Sequence, residues 1–137
     1  MKKILLLATA FVFTLTAMSQ TKLDSTVKVN TEKYDFGKIK QGNPVSFYFE
    51  ITNISDKPIV VESANATCGC TTPEKPTEPI MPGAIGKIKV VYNAAALNAF
   101  TKDVYIKFAG IDQPKTVHIT GEVLTPEAYD EYVKTKA

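Results

Sequence analysis

From residue 28 to residue 124 apolar and polar residues alternate with a period of two, interrupted by short clusters of turn-forming residues. In VSFYFEITN, Val45, Phe47, Phe49 and Ile51 fall on one face and Ser46, Tyr48, Glu50 and Thr52 on the other. That is the pattern of a half-buried strand. IGKIKVVY places Ile88, Val90 and Tyr92 inward, KDVYIKF places Val104, Ile106 and Phe108 inward, and KTVHITGEV does the same with Val117, Ile119 and Val123. IVVESAN forms a further strand, and VKVNTEKYDFGKI supplies one or two shorter ones around Val27–Val29 and Tyr34–Phe36. NISDKP and AGIDQP are turns. NAAALNAF reads as the loop between neighbouring strands.

Pro73, Pro76, Pro79 and Pro82 recur at every third position. Proline donates no backbone hydrogen bond, so this stretch is expected as an extended edge or polyproline segment ending in a turn at Pro82-Gly83. About seven short strands with no long helix between them predict an all-β fold, an antiparallel β-sandwich over residues 28–124. A parallel pairing needs a long crossover, usually a helix, and the spacing leaves no room for one. At residues 125–137 the pattern changes. Thr125 suits a helix cap, Pro126 the first helical position and Glu127 the positive end, with Ala128, Tyr129, Tyr132 and Val133 on one face. The expectation is a short helical or frayed C-terminal tail.

The first 19 residues carry Lys2 and Lys3, an apolar stretch from Ile4 to Leu15, and small residues at Ala17 and Ser19. That order is a secretory signal peptide, too short in its apolar part to span a bilayer. Residues 20–27 then read as a polar linker. The chain has 16 basic and 14 acidic residues, and the two signal lysines account for its net charge of +2. The remainder is near neutral, with no basic footprint for nucleic acid or an anionic membrane surface and no membrane span after cleavage. Export places the domain in the periplasm or outside the cell, where paired thiols tend to oxidise.

The only two cysteines, Cys68 and Cys70, flank Gly69 and precede Thr71. Residues two apart in a strand lie about 6.6 Å apart, near the upper limit of about 6.8 Å for a disulfide, and Gly69 permits a bend that brings them closer. Four chemistries are open to the pair: a structural bridge shaping the strand end, free thiols, a redox-active pair, or a soft ion such as Cu(I). No lysine or histidine adjoins it to lower a thiol pKa. His118, the only histidine, falls on an outward register, and the carboxylates Asp35, Glu50, Asp103 and Glu122 are scattered. No nucleophile elbow, phosphate loop or dinucleotide fingerprint is present, so an enzyme is not expected. Tyr48 and Tyr105 face outward among polar neighbours and are candidates for an interface. Asn53 and Asn65 each head an N-x-S/T triplet.

YDFG at 34–37, Thr52-Asn53, C-G-C-T at 68–71, Pro82-Gly83 and the closing G-x-V at 121–123 resemble the bacterial secreted family known as domain of unknown function 1573. The family is similar to the immunoglobulin-like domains of the major sperm protein and of hydin. The resemblance implies an immunoglobulin-like sandwich without known enzymatic activity and supplies no ligand and no cofactor. By fold analogy it implies a module that binds another protein or an envelope component. The rival is a thiol-dependent redox or copper-handling domain acting through Cys68 and Cys70, with Gly69 and Thr71 in support.

Overall fold

The alternating segments become strands that pair into two sheets. In the computed structural model, which describes residues 22–137, these are β1 (Val27–Val29), β2 (Lys33–Lys40), β3 (Val45–Asn53), β4 (Val61–Ala66), β5 (Thr71–Glu74), β6 (Ile85–Tyr92), β7 (Asn98–Phe108) and β8 (Lys115–Leu124). A helix, α1 (Pro126–Lys136), follows. One sheet has the order β1-β3-β6-β5 and the other β2-β8-β7-β4. The expected signal peptide, residues 1–19, lies outside the described residues.

The inward faces meet in one core, in which Phe49, Ile51, Ile88, Val90, Val104, Ile106, Phe108, Val117 and Ile119 are fully buried. These are the residues the period-two pattern points inward. Two aromatic pairs span the sheets: Tyr34 of β2 stacks on Phe47 of β3 at 3.7 Å, and Tyr92 of β6 stacks on Phe100 of β7 at 4.0 Å. Burial pushes the Tyr92 phenol above its ordinary pKa.

Three features differ from the sequence expectation. The described residues form eight strands, in keeping with the expected sandwich, but β2 pairs with β8 in parallel, Lys33 opposite His118 and Leu124 opposite Lys40. The crossover this requires is supplied by the intervening strands rather than by a helix. β7 starts at Asn98, so the second half of NAAALNAF is strand, with Phe100 buried and Asn98 at φ +83°. Within the segment expected as a linker, Lys22–Asp24 form a helical turn, and Leu23 and Val27 are buried in the core.

Inward residues of β2 run Tyr34, Phe36, Ile39, one residue out of phase. The reason is a register shift between Asp35 and Lys38, where Gly37 sits at φ +67° and its N–H donates to Asp35 Oδ1 at 2.8 Å. A bulge of this kind bends the edge strand and discourages edge-to-edge pairing. Pro73 lies in the edge strand β5, where its missing N–H breaks no ladder between neighbours on both sides.

The C-terminal segment is a helix. The Thr125 hydroxyl accepts from Ala128 N–H at 3.2 Å, Pro126 starts it, and Lys134 and Lys136 lie in its last turn. It lies along β2 and β8 without burying any residue, held by Lys40–Asp130 at 2.9 Å and by Lys38 over the Tyr132 ring. Tyr129 and Tyr132 are half-buried, whereas Ala128 and Val133 face solvent. The expected four-residue face is therefore reduced to its two tyrosines.

Candidate functional site

β4 is the edge of one sheet and β5 the edge of the other, so the chain changes sheets between them. It does so over Thr67–Cys70, and the cysteines form that corner. Their Cα atoms are 5.3 Å apart and their sulfurs are in contact, a spacing that fits a bridge. Thr71 N–H donates to the Cys68 carbonyl at 3.3 Å, closing a turn across the pair. The Thr71 side chain is buried at 4 % exposure, its hydroxyl 3.9 Å from the Cys68 sulfur and 3.8 Å from that of Cys70. Thr71 therefore anchors the corner from below, while Gly69 is exposed at its tip with open space around it.

Two further connections meet this corner. Asn93 N–H donates to the Cys70 carbonyl at 3.0 Å, which brings in the β6–β7 loop. Gly42 N–H donates to the Ala94 carbonyl at 3.0 Å and Gln41 Nε2 to that of Ala95 at 3.0 Å, which brings in the β2–β3 turn. Ala94 is buried and left-handed at φ +55°, a conformation that costs a non-glycine residue free energy. It turns the Ala94 carbonyl onto the β2–β3 turn and lifts Ala95, Ala96 and Leu97 into solvent. Leu97 is 41 % exposed.

The three connections share a chemical property. Residues 41–49, 63–73 and 90–101 contain no Asp, Glu, Lys, Arg or His. The fold gathers the three uncharged stretches at one end of the sandwich. The exposed residues of these stretches are Gly, Ala, Asn, Pro, Ser, Thr, Leu97 and Tyr48, the last on the outer face of β3, in a protein of which 22 % is charged. Charged residues are depleted from the centres of protein interfaces, which is the composition seen here. Sequence reading isolates the cysteines but misses this end, because its three parts are remote in the chain; the absence of charge from each stretch is the signal that points to it.

The remaining candidates are dispersed. Tyr48 is 50 % exposed on the outer face of one sheet and Tyr105 is 38 % exposed on the outer face of the other, so no single surface contains both. Neither lies under the C-terminal helix, which follows β2 and β8. His118 is not simply solvated: its Nδ1 lies 2.7 Å from Asp103 Oδ1, directly across the β7–β8 ladder. The nearby Glu32 carboxyl pairs with the Lys115 ammonium, whose hydrogen bond and charge hold it below the usual carboxylate range. Of the N-x-S/T triplets, Asn53 is fully buried and Asn65 is exposed. Among the described residues no three His, Cys, Asp or Glu side chains are close enough to hold a metal ion, and no helix is long and apolar enough to cross a membrane.

A family model described as protein of unknown function (DUF1573) matches residues 27–123. No curated relative matches the sequence. Among solved structures the chain is similar to a protein of unknown function from Porphyromonas gingivalis, with a TM-score of 0.62, 16 % identity, and 71 % of this chain and 46 % of that one covered. It is similar to the Vibrio cholerae VesB protease, with a TM-score of 0.61 and 15 % identity over 75 % of this chain and 33 % of that one. It is also similar to the seventh PapD-like (ASH) domain of human CEP192, with a TM-score of 0.58 and 10 % identity over 89 % of this chain and 99 % of that one. The chain thus spans less than half of the first two structures and nearly all of the third. At these identities the likeness shows the fold, an immunoglobulin-like sandwich.

Proposed function

This chain belongs to the DUF1573 family of proteins of unknown function, and we propose that it is an exported, non-enzymatic binding module that grips a protein partner through its uncharged loop end. The observation that carries this reading is the convergence of residues 41–49, 63–73 and 90–101 on one end. Leu97 supplies an apolar knob between small neighbours, and burying it needs no charge to be desolvated. The positive-φ residues Ala94 and Asn98 preset the loop, which lowers the ordering cost of association. The signal-peptide pattern supports export. The contact between the sulfurs supports a Cys68–Cys70 bridge as the strap of this corner.

The test is retention of envelope proteins on the immobilised domain. Leu97→Asp places an uncompensated charge at the centre of the surface and is expected to lower retention about tenfold or more, since a charge desolvated without a partner costs more than 1.4 kcal/mol. Tyr105→Asp, on an outer sheet face, is expected to leave it unchanged. Equal retention by Leu97→Asp and the parent, with unfolding transitions alike, rejects the loop end as the binding surface.

The thiol reading has one observation in its favour: both cysteines are half-buried rather than sealed in the core. It is separated from the first by the Cys68→Ser, Cys70→Ser double variant. A strap closing so short a loop contributes little, and the expected loss of stability is about 1.5 kcal/mol or less in urea unfolding. A binding module still retains its partner in this variant, weakened only as far as the corner is loosened and still dependent on Leu97. A redox or Cu(I)-handling protein loses all activity.

A further inference from the structure

The cysteine corner is linked to the rest of the loop end by one connected set of hydrogen bonds. Cys70 accepts from Asn93 N–H at 3.0 Å, and Asn93 Oδ1 accepts from Ala95 N–H at 3.1 Å. The carbonyls of Ala94 and Ala95 accept from Gly42 N–H and Gln41 Nε2, and Gln41 N–H donates to the Leu124 carbonyl at 2.9 Å. Corner, β6–β7 loop, β2–β3 turn and the end of β8 are thus connected, and the link to the corner is the backbone of the second cysteine. No salt bridge reinforces this set among the described residues; the nearest, Lys40–Asp130, lies at its rim.

We infer that the Cys68–Cys70 pair is a redox gate on this end: bridged, it holds the loops in the binding shape, and reduced, it releases them. The inference rests on the loop end being the binding surface and names how that surface is regulated. Three observations support it. The ring spans only three residues, so opening it leaves the sandwich folded, as a gate requires of both its states. β5 keeps its own ladder with β6 from Thr71 to Glu74, so the disturbance is confined to the corner and to what the Cys70 carbonyl holds. Ala94, left-handed at φ +55°, gains free energy by returning to an ordinary conformation once Asn93 is released. The loop next to the corner is therefore poised to rearrange.

The co-reactant is a dithiol, in solution or on an exported thiol–disulfide oxidoreductase. Its thiolate attacks one sulfur, the S–S bond breaks, and a mixed disulfide forms. Its second thiol then displaces the protein sulfur. The protein gains two electrons and two protons as Cys68 and Cys70 thiols, and the dithiol departs as a disulfide.

The experiment is amide hydrogen exchange on the purified protein, oxidised, reduced with dithiothreitol, and as the Cys68→Ser, Cys70→Ser variant without reductant. Reduction is expected to speed exchange at Asn93, Ala95 and Gly42 about tenfold or more while leaving Ile88 and Val117 unchanged, the mark of a local opening rather than a global one. The double variant is expected to match the reduced protein. Unchanged exchange at Asn93 and Gly42 after reduction overturns the gate. An equal rise at Ile88 and Val117 overturns it as well, because the bridge would then be a strap of the whole domain. No partner enters this measurement, so its failure leaves the Leu97→Asp test untouched, and failure of that test leaves the coupling measured here intact.

Discussion

Replacing Asn53 by alanine is expected to cost about 3 to 5 kcal/mol of folding stability, against less than about 0.5 kcal/mol for the same change at Asn65. Both head an N-x-S/T triplet, but their surroundings differ completely. Asn53 is fully buried at the end of β3. Its Nδ2 donates to the carbonyls of Lys57 at 2.7 Å and Ile80 at 2.8 Å, and its Oδ1 accepts from Ser55 N–H at 2.9 Å and Ser55 Oγ at 2.7 Å. It thus folds the β3–β4 turn and ties it to Ile80, which pairs with Ile59 in an isolated antiparallel β-bridge. Truncation strands several polar groups away from water, and each costs about 1 to 3 kcal/mol where no replacement partner exists. Asn53→Asp retains the volume but turns a carboxylate towards two carbonyl oxygens, so it is expected to be no better than alanine. Urea unfolding followed at constant m-value decides the matter. A loss under about 1 kcal/mol at Asn53 would mean that water replaces the side chain.

The second large effect is expected at Phe100, where truncation to alanine should cost about 3 to 5 kcal/mol. Phe100 stacks on Tyr92 and joins the two sheets beneath the loop end. Its ring occupies the space left by Gly121, its partner in the β7–β8 register. A Cβ on Gly121 would lie 2.8 Å from two carbons of that ring and 3.0 Å from the Gly37 carbonyl oxygen. Gly121→Ala alone is thus an overpacking change, expected to cost about 1 to 3 kcal/mol. The two costs have a common origin, and the double variant is expected to lose at least 0.5 kcal/mol less than their sum, because the new methyl enters the space the ring vacates. Additivity within about 0.5 kcal/mol would show that the ring and the glycine do not compete for one volume.

Much of this architecture is legible from residue order. The inward faces of β3, β6, β7 and β8 follow period two, because burial on one face leaves that imprint wherever a strand stays in register. Pro73 announces an edge strand, and Thr125, Pro126 and Glu127 announce the helix. The parts that are not legible depend on partners remote in sequence. Nothing local to Lys33 indicates that His118 will lie beside it in parallel, and nothing local to His118 indicates Asp103. Asn98 and Ala99 conceal the start of β7, since an asparagine at φ +83° followed by alanine looks like loop. The bulge at Gly37 shifts Ile39 out of phase and shortens the apparent strand. The cysteine pair is visible at once, whereas the uncharged end to which it belongs emerges only when three connections are brought together.

The parallel ladder between β2 and β8 also sets the order in which the domain can be made. β2 enters the chain near its start, and its partner is the last strand of the sandwich. Until β8 is synthesised, one sheet lacks its second strand and β2 has no neighbour in it. Long-range pairings of this kind make folding slow, because loop-closure entropy is lost before the contacts that repay it form. The second sheet is thereby incomplete until β8 is available. For the exported module proposed above, that delay would be protective, because a chain must be unfolded to pass a membrane pore and the sandwich cannot be completed without β8.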